Sequence, residues 1–388
     1  MPSVLRSPQS LDEVLGSLIE RFSKRAAEHD RDGTFPFENF VALQEADLLA
    51  ATVPKAAGGG GASLETARRI IAGIAGVEPS TALVLTMQYL FHKGMVESDS
   101  WPCHLRDRVQ SDAVRQGALI NALRVEPELG TPARGGLPAT IGRRTEEGWI
   151  LSGHKLYSTG IPVLTWLGVW GRSDEERTRT GFFLIHRDTP GIRIVETWDH
   201  MGLRASGSHE VIFEDVSIPA DHAIDLRLPE EWATTVSALH QAWSSVLLSA
   251  LYDAIARAAH AWLLRFLQNR VPGNLGAPLA TLPRFQEAVG RSEALLWENS
   301  VLLDHATAAA DANAPRPPVE SNLLKYVVTG NAIKAVESAL ELTGNHGLSR
   351  HNALERHYRD VLCSRIHTPQ NDAILTGAGK QAFSVGAK

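Results

Sequence analysis

Gly148-Trp149-Ile150-Leu151-Ser152-Gly153-His154-Lys155-Leu156-Tyr157-Ser158-Thr159 is the stretch on which the fold turns. It follows the turn residues Glu146-Glu147-Gly148 and is rich in β-formers, so it reads as a strand opened by a tight turn. The segments around it have the same texture. Residues 117–125, 139–144, 167–171, 181–186 and 211–218 are short, β-prone and separated by turn residues such as Asp188-Thr189-Pro190-Gly191. Strands that follow one another without intervening helices predict an antiparallel barrel or sandwich rather than a parallel βαβ sheet.

On both sides the texture is helical. Ser10 and Glu13 have capping-box spacing, and Leu11, Val14, Leu15, Leu18, Ile19 and Phe22 follow on one face. Further helices are predicted after Pro36, after Ser63, over 81–96 and over 101–115. Residues 230–270 read as one long helix with apolar residues on more than one face, as inside a bundle. Pro272 and Gly273 end it, and two more helices follow over 284–310 and 321–343. The predicted class is α+β: an N-terminal helical domain (1–116), a middle β-domain (117–228) and a C-terminal helical bundle (229–388).

The 388 residues are 44% apolar and 21% charged, in the range of packed globular chains. The net charge of -6 is spread out, which argues against a nucleic-acid or anionic-membrane partner. Cys103 and Cys363 are the only cysteines, too few for a disulfide framework or a metal cluster. Residues 1–10 lack a signal-peptide pattern, and no apolar run approaches the ~20 residues that span a bilayer. The expectation is a cytoplasmic protein. Gly58-Gly59-Gly60-Gly61 reads as a loop rather than a phosphate cradle, and His351, Glu355 and His357 as surface charges rather than metal ligands. No metal is expected.

Three stretches resemble the acyl-CoA dehydrogenase superfamily. Gly148 to Gly160 is similar to its "G-W-x-L-x-G-x-K" hairpin and aromatic-x-Thr strand end. Met201-Gly202-Leu203-Arg204-Ala205-Ser206, with Phe213 to Pro219, is similar to "M-G-x-R-x-S … F-x-D-V-x-V-P". Gly344-Asn345-His346-Gly347, with Arg356 to Asp360, resembles "G-G-x-G … R-x-x-R-D". The resemblance covers nearly the whole chain and implies a flavin. Thr159 would then bond the ring near N5 and Tyr157 would pack beside it, with Ser158 between them. The same resemblance implies FAD, reached by Arg270 from a neighbouring subunit and approached by Gly344 and Gly347. It also implies a homotetramer or homodimer.

The chain departs from the family where a dehydrogenase keeps its base. The family's Glu falls on Thr368 or near Ser244, neither of which readily takes an α-proton. The nearest carboxylate is Asp372. The usual "T-E-P-x-A-G-S-D" segment is replaced by Asn121-Ala122-Leu123-Arg124-Val125-Glu126-Pro127. Asn121 and His367 resemble positions in the two-component monooxygenases of the same fold, where a reductase delivers reduced flavin, FMN included. The prevalence of dehydrogenases puts acyl-CoA oxidation first, with Asp372 as base and an electron-transfer flavoprotein as partner. Oxygen chemistry with His367 and a flavin reductase is the alternative. A non-catalytic flavin-binding relative comes third.

Overall fold

The computed structural model describes residues 10–132, 135–234 and 237–385. Residues 1–9, most of the stretch read above for a leader, lie outside them. The N-terminal helices are α1 (Leu11–Ser23), α2 (Ala26–Asp32), α3 (Phe37–Glu45), α4 (Leu64–Ala75), α5 (Pro79–Glu97) and α6 (Cys103–Gln116). The capping box at Ser10 forms, with both reciprocal bonds to Glu13. Ser63 caps α4 through Thr66 N. The first two backbone N–H groups of α4 also donate to Asp311 at 2.7 and 3.0 Å, so a carboxylate from the far end of the chain sits on the positive end of this helix.

The strands are β1 (Leu119–Leu123), β2 (Ile141–Arg144), β3 (Gly148–Lys155), β4 (Leu164–Ser173), β5 (Thr180–His186), β6 (Ile192–Val195), β7 (Glu210–Pro219) and β8 (Ala223–Arg227). Their order is β6-β7-β3-β2-β4-β5-β8, with β1 also paired to β4. Most pairs are antiparallel, as the absence of crossover helices predicts. However, β1 and β2 both run parallel to β4, along successive parts of it, so the sheet is mixed. The reading of consecutive strands missed this because β1 and β2 each reach β4 through a later part of the chain. Sequence reading also missed α2, β6 and β8, which are only 7, 4 and 5 residues long, too short for a clear periodic signal.

The C-terminal part is α7 (Ala238–Asn269), α8 (Pro283–Asp311), α9 (Pro318–Thr343), α10 (Asn345–Leu348), α11 (Ala353–Leu362) and α12 (Asn371–Val385). α7 buries Trp243, Leu247, Leu251, Ile255 and Leu263 among others, and one continuous apolar cluster runs from α1 through β3 to α9.

Two of the family-like stretches meet here. The Arg359 guanidinium bonds Asp30 at 2.6 and 3.0 Å, Glu355 at 2.7 and 3.0 Å and Met201 O at 2.8 Å. Asp360 accepts Leu203 N at 2.7 Å, and Arg204 reaches Asp30 O. A Cβ on Gly202 would stand 2.4 Å from Arg359 O, so only glycine admits this approach. These motifs tie the N-terminal helices, the sheet and the C-terminal helices together. Among the described residues no helix is long and apolar enough to cross a membrane.

Candidate active site

Tyr157, Ser158 and Thr159 do not end a strand. β3 stops at Lys155, and the three residues form the turn after it, with Tyr157 at φ 54° and Gly160 at φ 79°. The turn is laced to residues 206–209: Ser158 N donates to His209 O, and Gly160 N to Ser206 O, both at 3.0 Å. The Thr159 hydroxyl lies 3.0 Å from Ser208 Oγ, which lies 2.8 Å from Ser206 Oγ. Asn121 Nδ2 donates to Thr159 O at 3.0 Å, and its Oδ1 accepts Ala122 N at 2.7 Å. Asn121 thus fixes the turn through the backbone.

Left-handed backbone at a bulky residue costs about 1–3 kcal/mol and calls for a reason. Tyr157 is nevertheless 53% exposed. Its ring meets Trp198 and His200 edge-on at 6.3 and 5.7 Å, and those two stack on each other at 3.8 Å. Ser158 Oγ is buried without a partner among the described residues. An open aromatic wall beside an unsatisfied hydroxyl and a half-buried threonine suits a planar group with hydrogen-bonding edges.

Behind this turn lies a buried ion pair. Lys155 Nζ is 2.6 Å from Glu126, and the two side chains are 0% and 1% exposed. Glu126 also accepts Ala139 N and Thr140 N, at 2.6 and 3.0 Å. Burial pulls the ammonium down to about 8, while its bond to Lys155 holds Glu126 below its ordinary range against desolvation. At neutral pH the pair is ionic.

The opposite wall is helical. Tyr252 of α7 is fully buried and its hydroxyl bonds His367 Nδ1. Burial, helped by the Lys325 charge, pushes His367 down to about 4, and burial pushes Tyr252 up. The imidazole is therefore neutral. The phenol must donate to Nδ1, since otherwise its hydrogen would be buried without an acceptor, at about 1–3 kcal/mol. That leaves the proton on Nε2, so His367 offers a neutral N–H. Burial thus makes His367 a neutral hydrogen-bond donor rather than a group that titrates near neutrality. Lys325 of α9, 0% exposed, donates to the carbonyls of Ser364, His367 and Pro369 at 3.3, 2.7 and 2.8 Å. It clamps the turn that carries His367. The two walls touch where Thr131 and Thr368 hydroxyls stand 3.5 Å apart.

The remaining candidates lie elsewhere. Asp372 is exposed in the first turn of α12. Arg270 caps the far end of α7, eighteen residues or roughly 27 Å from Tyr252, and is exposed. Gly344 has φ 53° and open space where a Cβ would stand. Gly347 is needed internally, because its Cβ would lie 2.4 Å from Thr343 Oγ1. Phe266 and His346 rings, 5.2 Å apart, bring the end of α7 beside α10. Tyr252, Lys325, Ser208 and the Trp198–His200 pair were missed in the sequence. Lys325 alone left a signal: it interrupts the buried face Ser321, Val328, Ala332 and Val336 of α9.

The chain matches the N-terminal, middle and C-terminal domains of acyl-CoA dehydrogenase over residues 9–97, 124–216 and 236–371. It is 31% identical to the acyl-CoA dehydrogenase homologue YdbM of Bacillus subtilis, covering 96% of each chain. It is 29% identical to L-evernosamine nitrososynthase of a Micromonospora species, over 94% of this chain and 89% of that one. The solved structure of KijD3 with FMN and a dTDP-linked amino-keto sugar superposes with a TM-score of 0.84 at 26% identity, covering 99% and 97% of the two chains. By its sequence along nearly its full length and by its fold, the chain belongs to the acyl-CoA dehydrogenase superfamily of flavin-dependent oxidoreductases.

Proposed function

We propose that the chain is a flavin-dependent monooxygenase of this superfamily, using reduced flavin and oxygen. The observation that carries the reading is the His367–Tyr252 pair on the turn where the family's dehydrogenases resemble one another in placing a carboxylate. Here that turn holds a neutral N–H donor, Thr368 beside it is not a base, and Asp372 points from an exposed helix. The relationship to a nitrososynthase and to FMN-bound KijD3 supports it.

Tyr157, with Trp198 and His200, would flank the flavin ring, and the Thr159 and Ser158 hydroxyls would bond its edge. A reduced flavin held by these residues would supply the electrons for oxygen chemistry. The protein's part is to exclude water, through the aromatic wall, and to hold a donor in place. Tyr252 fixes the tautomer of His367, so that its Nε2–H would donate a hydrogen bond to an oxygen atom that gains negative charge. Lys325 keeps that donor still. FAD or FMN fits, the first favoured by Arg270 and Gly344, which would serve a neighbour's cofactor in a homotetramer or homodimer. A separate flavin reductase would be the partner, in the cytoplasm, and residues 1–116, 117–228 and 229–388 would be the folding units.

Acyl-CoA oxidation is the second reading, favoured by the likeness to YdbM, with Asp372 as base and an electron-transfer flavoprotein as acceptor. One experiment separates the two. The flavin-loaded chain is mixed anaerobically with a panel of acyl-CoAs, and separately its reduced form is mixed with air. Expected are no bleaching by any acyl-CoA, and a reoxidation course that differs from free flavin and that His367→Gln changes toward faster peroxide release. Bleaching by an acyl-CoA that Asp372→Asn abolishes would overturn the proposal.

A further inference from the structure

Beyond the flavin walls, the strand that carries Asn121 continues to a cation that forms no ion pair among the described residues. Arg124 follows β1, and the guanidinium lies over the Trp170 ring at 5.1 Å. Trp232 packs edge-on against the same ring at 4.8 Å. Arg124 is exposed to solvent, yet protein surrounds it closely enough for desolvation to lower its pKa. No carboxylate raises its pKa, and it forms no ion pair among the described residues.

The neighbouring cations are different. Arg227, over Trp232, is paired with Asp225. Lys93 is 3.3 Å from Glu97, which also accepts a bond from Ser237. His240 of α7 packs on α5 at Gly94; Phe91, three residues earlier, meets Phe182 at 6.2 Å, and Phe182 meets Trp170 at 5.1 Å, so His240 and Arg124 flank one aromatic cluster; desolvation keeps the imidazole neutral. Its Nδ1 is buried with no partner among the described residues. A Cβ on Gly94 would come within 3.3 Å of this ring, so a glycine inside α5 leaves room for it. Glycine there costs roughly 1 kcal/mol of helix stability relative to alanine.

We propose that Arg124 and His240 form an oxyanion subsite for the substrate, which therefore carries a carboxylate or a phosphate. A guanidinium held flat on an indole presents its edge N–H pair to two oxygens of one anion, and desolvation strengthens the contact. His240 supplies a further hydrogen bond. Arg124 lies three residues beyond Asn121, so the anionic group stands on the order of 10 Å along the strand from the Thr159 turn. The inference rests on the reading of this cleft as the substrate site.

The test is anion binding without turnover. The full chain is titrated calorimetrically with inorganic phosphate and, separately, with acetate, against chloride at matched ionic strength. Wild type should bind at least one above the chloride control. Arg124→Gln should weaken it ten-fold or more, and His240→Ala by less. Preference for phosphate points to a nucleotide- or coenzyme-linked substrate, and preference for acetate to a free acid. Wild type binding neither anion, or Arg124→Gln binding like wild type, overturns the proposal. If Arg124→Gln does not fold, Arg124→Lys keeps the charge but loses the fork. It must then weaken binding several-fold, and unchanged affinity refutes the subsite equally. Flavin retention, measured on the same samples, fails independently if the flavin reading is wrong.

Discussion

Lys155 and Lys325 are both fully buried, and burial pulls both ammonium groups down to about 8, yet they stand in opposite walls of the cleft with different partners. Lys155 has a carboxylate, which is itself held by two backbone N–H groups. Lys325 has three carbonyl oxygens and, among the described residues, no carboxylate. The first arrangement stores its energy in a charge pair and stiffens a sheet. The second spends a buried charge on holding one turn, the turn that carries His367. A buried cation without a counter-ion is costly, so its persistence on the helical wall points to a demand for geometry there.

The comparison breaks first at Glu126. Glu126→Gln keeps an acceptor for Ala139 and Thr140 but strands the Lys155 charge, and should cost about 3–5 kcal/mol in denaturant unfolding. Adding Lys155→Met should return most of that loss. If the single variant is as stable as wild type, the pair is not the anchor of the β wall.

Lys325→Met should cost less, about 2–3 kcal/mol, since it leaves carbonyls rather than a charge unsatisfied. Its effect on flavin reoxidation should nevertheless exceed that of the Glu126→Gln, Lys155→Met double variant, because it frees His367. Equal kinetic effects would erase the distinction between the walls.

The smallest effect is expected from Tyr252→Phe, about 1 kcal/mol. His367 is depressed to about 4 in the folded chain. The stability it contributes is therefore held above its unfolded value of about 6.5 and lost as pH falls toward 4. Removing the phenol deletes a bond to the neutral ring, so the pKa should rise and part of that acid-side loss should vanish. An unchanged His367 titration by NMR would show that burial alone sets it.

Much of the fold was legible because its signals are local. The Ser10–Glu13 capping box, the Ser63 cap, the apolar period of α4 and the turn before Gly148 each depend on residues a few positions apart. The resemblance to the superfamily came from contiguous motifs, and tertiary structure showed that two of these, at Gly202 and Arg359, meet to join the parts of the chain. What the sequence alone could not decide is every relation between distant residues. It could not place β1 and β2 along β4, since parallel pairing leaves no local mark. It named His367 but not Tyr252, 115 positions away, which sets its tautomer. It read Arg124 as one residue of an altered motif. Only the fold sets that guanidinium on Trp170, near His240 and without an ion pair among the described residues, because pairing and desolvation are properties of the space a side chain occupies.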